Sequence, residues 1–238
     1  MSKIKFQLQK QLEENISVHK DILNMSKDII DIIENVKKKL KKGGKILFCG
    51  NGGSAAEAQH LAAEFIIRLR PHINRSPIPA ITLAQDTSTL TACGNDYSFD
   101  DIFLRPFQAL AKKDDILICI STSGNSKNIL KVLKEAKKKN IYSICFLGKG
   151  GGKAKRYTNK SLIISSNNTA RIQECHIFLG HFILEKVEDL IVSNWIKFRS
   201  EINVIKLHSV LSFKYKSLKS KYQNIKISKY QNIKILKN

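Results

Sequence analysis

No apolar run in this 238-residue chain approaches the roughly 20 residues that a bilayer span requires. The opening segment, MSKIKFQLQKQLEEN, holds no signal-peptide h-region. Both absences lead us to expect a cytoplasmic protein with no membrane partner. There is also no CxxC pair. Cys49, Cys93, Cys119, Cys145 and Cys175 are odd in number and widely spaced. Most lie in apolar runs or beside predicted strands, so they read as small buried hydrophobes in a reducing compartment. Acidic residues are scarce, 20 against 41 basic, which leaves a net charge of +21. Such an excess would suggest nucleic acid, but no aromatic residues interleave with the lysine clusters at 37–39 and 137–139. These clusters fall near predicted helix ends, where they complement the helix dipole and stay solvated.

A hydrophobic content of 42% fits a globular chain with a sizeable core. Residues 4–41 carry apolar side chains at helical spacing and read as one or two amphipathic helices ended by Gly43-Gly44. A strand, KILFCG, follows, and then a helix over 54–69. Pro71, Pro77 and Pro79 mark a connection into a second strand, AITLA. Short helices are expected at 87–94 and 100–112, around a loop at Gly94-Asn95-Asp96. The strand ILICI, the loop STSGNS and the helix KNILKVLKEAKKK come next. Strands YSICFLG and SLIIS lead to a long helix from about Thr169 to Trp195. This alternation predicts an α/β fold: a doubly wound, mostly parallel five-stranded sheet with a long N-terminal helical segment. We expect one domain over 1–196. Residues 197–238, with 11 basic residues and one acid and a twice-repeated KYQNIKI, are expected to form a poorly ordered basic extension. That tail is the one place where nucleic acid could bind.

Two loops stand at the carboxyl ends of predicted strands, the edge where such sheets bind ligands. In the first, Cys49-Gly50-Asn51-Gly52-Gly53-Ser54, a glycine turn opens a helix, a nest of backbone N–H groups suited to an anion. His60 and Glu64 lie four residues apart on that helix and share one face. The second loop offers Ser121, Thr122, Ser123 and Ser126, more hydroxyls than a helix cap needs. Neither loop is a nucleotide fingerprint. There is no GxxxxGK[ST], and the first loop lacks the third glycine of GxGxxG. A sugar phosphate fits better than ATP or NAD.

The blocks CGNGGSAAEAQHLAAE, GND, STSGNS and RIQECHIFLGH, in this order, resemble the phosphoheptose isomerase family of the sugar isomerase (SIS) superfamily. The similarity spans roughly residues 1–194. It implies a flavodoxin-like core and a cytoplasmic homotetramer. It also implies conversion of D-sedoheptulose 7-phosphate to D-glycero-D-manno-heptose 7-phosphate, the first step towards activated heptose for surface polysaccharide. The substrate contacts that it implies are Asn51, Gly52, Gly53, Ser54, Glu64, Asn95, Asp96, Ser121, Thr122, Ser123, Ser126 and Gln173. It further implies one zinc ion per subunit, on His60, Glu64, Gln173 and His181. Ala170 departs from the pattern, since some relatives carry aspartate there.

Aldose–ketose isomerisation moves one proton between C1 and C2 and another between their oxygens, through an enediol. Glu64 suits the carbon base, because an apolar helix face favours a carboxyl group that can take up a proton. His181 suits the acid partner, with an ordinary pKa of about 6.5. Zinc would compete for the same two groups. Gln173 and His181 are eight residues apart, about 12 Å along one helix, so to share an ion they must lean together or come from different subunits. Taken singly, each of these residues has a bland reading: His60 a core histidine, Glu64 a solvated charge, His176 structural. Their joint occurrence with two phosphate-type loops favours an enzyme. The alternative is a non-catalytic SIS protein, like the paralogue that binds the bacterial replication initiator as an assembly factor. That paralogue lacks the acid at Glu64 and the histidine at His181, and this chain keeps both.

Overall fold

In the computed structural model, which describes residues 2–84 and 86–192, the five apolar stretches form one sheet. Its strands are β1 (Ile46–Gly50), β2 (Ala80–Thr82), β3 (Ile116–Ser121), β4 (Tyr142–Leu147) and β5 (Lys160–Ile163), in the order β2-β1-β3-β4-β5. All four pairings are parallel. Every residue of β1 and β3 is buried, as expected of near-continuous apolar strands covered by helices on both faces. The order in which strands are added reverses between β1 and β3, so the carboxyl ends of these two strands flank the switch-point crevice.

Before the sheet come α1 (Ser2–Asp21) and α2 (Ser26–Lys41), separated by a 3₁₀ turn at Ile22–Met25. α2 buries Ile29, Ile32, Ile33 and Val36. α1 leaves Ile4, Leu8, Leu12 and Ile16 exposed along one stripe. Between strands lie α3 (Gly53–Ile66), α4 (Thr87–Asp96), α5 (Leu104–Leu110) and α6 (Lys127–Lys138). After β5, residues 169–192 are helical and are termed α7. Asn95 and Asp96, expected in a loop, form the last turn of α4. Asp86 caps that helix by accepting from the Thr89 N–H at 2.7 Å, and the helix runs through Gly94 to Tyr97, whose φ of −129° and ψ of −96° end it. The next helix starts at Leu104 and not at 100, because Ser98 Oγ bonds Asp101 Oδ2 (2.7 Å) across a 3₁₀ turn.

One face of the sheet buries Leu47, Cys49, Phe107, Leu117, Cys119, Leu133, Cys145 and Leu147. Cys49, Cys119 and Cys145 are register partners on three adjacent strands, and all five cysteines are buried and free. Burial pushes the Cys119 thiol well up, so it behaves as a small hydrophobe. No helix among the described residues is long and apolar enough to cross a membrane. The boundary at 196 and the basic tail with its KYQNIKI repeat lie outside the described residues.

α7 is tied to the sheet by His176, which is fully buried against Phe146. A carbonyl can only accept, so the His176 Nε2–H donates to Leu147 O (3.1 Å), at the end of β4. Nδ1 has no hydrogen-bond partner among the described residues. Burial pushes this imidazole down to about 4, so it is neutral in the folded protein. Unfolded, it takes a proton near pH 6.5, so stability contributed by the neutral ring is full above about 6.5 and is lost as pH falls towards about 4. Thermal unfolding across this window is expected to show a decline of up to about 1.4 kcal/mol per pH unit from this group. That component should be missing from His176→Gln.

Candidate active site

The two loops leave the sheet at its switch point. Gly52 occupies the N-cap of α3 with φ +56° and ψ −123°, a conformation open to glycine and closed to residues with a Cβ. This bend starts α3 beside a concavity, and within the turn the Ser54 and Ala55 N–H groups donate to Asn51 O and Gly52 O at 3.0 Å each. Asn51 and Asn128 exchange side-chain amide bonds (3.0 and 2.9 Å), which fastens the first loop to the start of α6. The Asn51 side chain is therefore engaged within the protein. In the second loop Gly124 has φ +63°, and a Cβ there would lie 2.2 Å from Gly151 O. Asn125 Oδ1 accepts from the Lys153 N–H (3.0 Å), so the 150–154 segment buttresses the loop. Ser121 Oγ and Ser123 Oγ accept from the N–H groups of Gly124 and Asn125. Accepting leaves their hydroxyl protons to point outward. Ser126, at the N-cap of α6, makes no side-chain cap bond. The serines of this loop are thus not consumed by capping. A cavity of about 200 Å³ adjoins the first loop, walled by Asn51, Gly52, Ala55, Gln59, Leu90 and Phe103 among others.

α3 and α7 form a seam beside the first loop. Their close approach depends on small residues at two levels. A Cβ on Gly53 would lie 2.3 Å from Gln173 Nε2, and one on Gly180 would lie 2.5 Å from Leu61. At this separation His60 Nε2 and His181 Nε2 stand 2.8 Å apart, one donating and the other accepting, with ring planes at 69°. Glu64 Oε1 is 3.7 Å from His60 Nε2. Burial, and secondarily the charge of His60, lowers the His181 pKa against an opposing pull from Glu64. His181 is therefore neutral at neutral pH, and a neutral imidazole can both give and take a proton.

The structure thus brings His60, Glu64 and His181 together, with Gln173 further along the same seam. Asn95 and Asp96 are exposed and bond each other (2.8 Å), and no hydrogen bond joins them to the seam among the described residues. One titratable group escaped the sequence reading. Glu57 is half-buried on α3, three residues before His60, and burial pushes its carboxyl up to about 7. Its Oε2 has no partner among the described residues. The only signal in the sequence is its spacing, seven residues from Glu64 and so on the same stripe.

The expected zinc site is not supported. Among the described residues, no group of three or more His, Cys, Asp or Glu is placed to hold a metal ion. Two imidazole nitrogens on one tetrahedral zinc, each at about 2.0–2.1 Å, would lie about 3.3 Å apart. His60 and His181 instead meet at 2.8 Å, in hydrogen-bond contact. Gln173 lies against Gly53, about 12 Å along α7 from His181. The set His60, Glu64, Gln173 and His181 is therefore corrected from a zinc shell to a hydrogen-bonded seam.

Parallel sheet, switch-point loops and interhelix seam define the class of this protein, a SIS domain, and the family model described as SIS domain matches residues 13–148. Phosphoheptose isomerase from Campylobacter concisus is 45% identical over 186 residues, covering 78% of this chain and 97% of its own length. That from Clostridium acetobutylicum is 46% identical over 184 residues, covering 76% and 93%. Among solved structures, phosphoheptose isomerase from Neisseria gonorrhoeae superposes with a TM-score of 0.72 at 35% identity, over 78% of this chain and 99% of that one. The Francisella tularensis structure gives 0.74 at 33%, over 79% and 100%. The chain belongs to the phosphoheptose isomerase family.

Contact between Gln173 and the first loop can be tested at Gly53. The atom that a methyl would meet is the movable end of a side chain, so Gly53→Ala is expected to fold with stability shifted by less than about 1 kcal/mol. It should displace the Gln173 amide and raise KM roughly three- to tenfold in a sugar-phosphate isomerase assay.

Proposed function

We propose that this protein isomerises D-sedoheptulose 7-phosphate to D-glycero-D-manno-heptose 7-phosphate, the step that opens the supply of activated heptose for surface polysaccharide. The observation that carries this reading is the seam itself, where a carboxylate and two touching imidazoles stand on and against the helix that the first glycine loop opens. Family membership supports it, and the relatives named above give no support to a replication-initiator assembly factor.

The phosphate binds at the Gly52-Gly53-Ser54 turn that opens α3 and at the hydroxyls of Ser121, Thr122, Ser123 and Ser126. The sugar's reacting end then lies towards the seam. The Glu64 carboxylate takes the C1 proton, leaving an enediolate, and returns a proton to C2. His181 donates to the carbonyl oxygen at C2 and takes the hydroxyl proton from O1, which its neutral state permits. His60, bonded to His181, fixes the tautomer and orientation of that ring. Gln173 and Asn95 and Asp96 complete the polar contacts to the polyol. We assign this chemistry to residues 1–196 and treat the basic segment 197–238 as an addition to it.

We also propose a homotetramer. Ile4, Leu8 and Leu12 on α1 are 57–73% exposed, and on α7 Phe178 and Phe182 stack at 6.4 Å with their faces partly open. Continuous apolar stripes of this kind mark subunit contacts.

Two measurements check these readings. Glu64→Gln is expected to lower kcat by about 10²–10⁴-fold in a purified-protein assay while KM changes little, and unaltered turnover would remove Glu64 from the mechanism. Sedimentation should give the mass of four chains for the native protein and a smaller species for Leu8→Glu/Leu12→Glu.

A further inference from the structure

The carboxyl end of α3 stops two residues after Glu64. Ile67 leaves helical geometry (φ −89°, ψ −82°), so the last carbonyls of the helix lack amides from a following turn. Ala63 O still accepts from the Ile67 N–H at 2.8 Å. The carbonyl of Glu64 instead meets Arg75 Nη2 at 2.9 Å, and that of Phe65 meets Arg75 Nη1 and the Ile78 N–H, each at 3.0 Å. One guanidinium thus replaces the missing turn and sets a positive charge at the negative end of the helix dipole.

That charge is almost wholly buried, with the Arg75 side chain 3% exposed, and it is answered by Glu188, which is 0% exposed. Glu188 Oε1 accepts from Arg75 Nε, and Oε2 accepts from Arg70 Nε at 2.7 Å. Arg70 also reaches Asp189 Oδ1 at 2.6 Å. A buried ion network is a weak source of stability, because apolar replacements often serve as well. Its directional hydrogen bonds are what an apolar cluster could not reproduce. Glu188 follows His181 by seven residues, so it lies on the same stripe of α7, about 10.5 Å further along. α7 therefore grips α3 twice, at His60 through His181 and at the backbone of Glu64 through Glu188 and Arg75.

We propose that Arg75, locked by Glu188, is a positioning residue that holds the Glu64 carboxylate opposite His181. The proposal rests on the isomerase reading above. Without the anchor the end of α3 is free to unwind past Glu64, and a shift of about 1 Å in a reacting group can lower a rate about 10²-fold.

The test uses the full chain with Arg75→Lys, which keeps the charge but loses the two-pronged donor, and Glu188→Gln, which keeps the shape but loses the charge. Each is expected to lower kcat for sedoheptulose 7-phosphate at least tenfold with KM within twofold. In a Glu64→Asp background, where the carboxylate is already displaced, Arg75→Lys should lower kcat less than threefold. Amide exchange should quicken at least tenfold at residues 64–68 and stay unchanged in β1 and β3. The exchange measurement needs no turnover, so an inactive native protein would overturn the isomerase reading while this one is still decided. Unchanged kcat, a loss confined to KM, equal losses in both backgrounds or uniformly faster exchange would overturn the positioning role. If one variant fails to fold, the other decides.

Discussion

Two helices approach each other closely enough at Gly53 and Gly180 for an imidazole on each to touch, and the proposed chemistry depends on that approach. α3 carries the glycine nest at its start and His60 and Glu64 along its length. α7 brings Gln173 and His181 from more than a hundred residues away. A side chain at Gly180 would run into Leu61 and force the helices apart where His60 and His181 meet, whereas one at Gly53 would displace the end of Gln173. The sheet contributes by fixing where α3 begins, and His176 contributes by fixing α7 to the end of β4. Fold and site are therefore coupled through a few short contacts between a helix start, a strand end and a helix flank.

Much of this was legible from local chemistry. An apolar strand, a turn of glycines and a helix with charged groups four apart can be read residue by residue, and all five strands followed from their apolar runs between breakers. His60 and Glu64 share a face by arithmetic alone. Gln173 and His181 were less accessible, because nothing in α7's own pattern names the helix that it meets; only the resemblance of four blocks to a known family joined them to α3. The GND segment illustrates a smaller limit. Glycine and asparagine suggested a loop, but Asp86 caps a helix eight residues before Gly94 and that helix carries through them.

What the sequence concealed was of a different kind. Arg75 and Glu188 are 113 positions apart and look like two surface charges, yet both are buried and joined. Glu57 looks like one more helix carboxylate, and only burial separates its proton affinity from that of its neighbours. Zinc fails for a related reason. The residue types suited it, whereas the contact between two imidazole nitrogens, shorter than a shared ion allows, could be known only from distances.

In the proposed mechanism a carbon-bound proton passes through Glu64 at the α3–α7 seam. His60 is 48% exposed and Glu64 22%, so a proton held there can exchange with water before it returns to carbon. Turnover of sedoheptulose 7-phosphate in D₂O, followed by NMR of the product, tests this directly. Deuterium is expected at C2 of the heptose phosphate. A product whose C2 hydrogen came wholly from the substrate, with no solvent deuterium at any stage of the reaction, would contradict it.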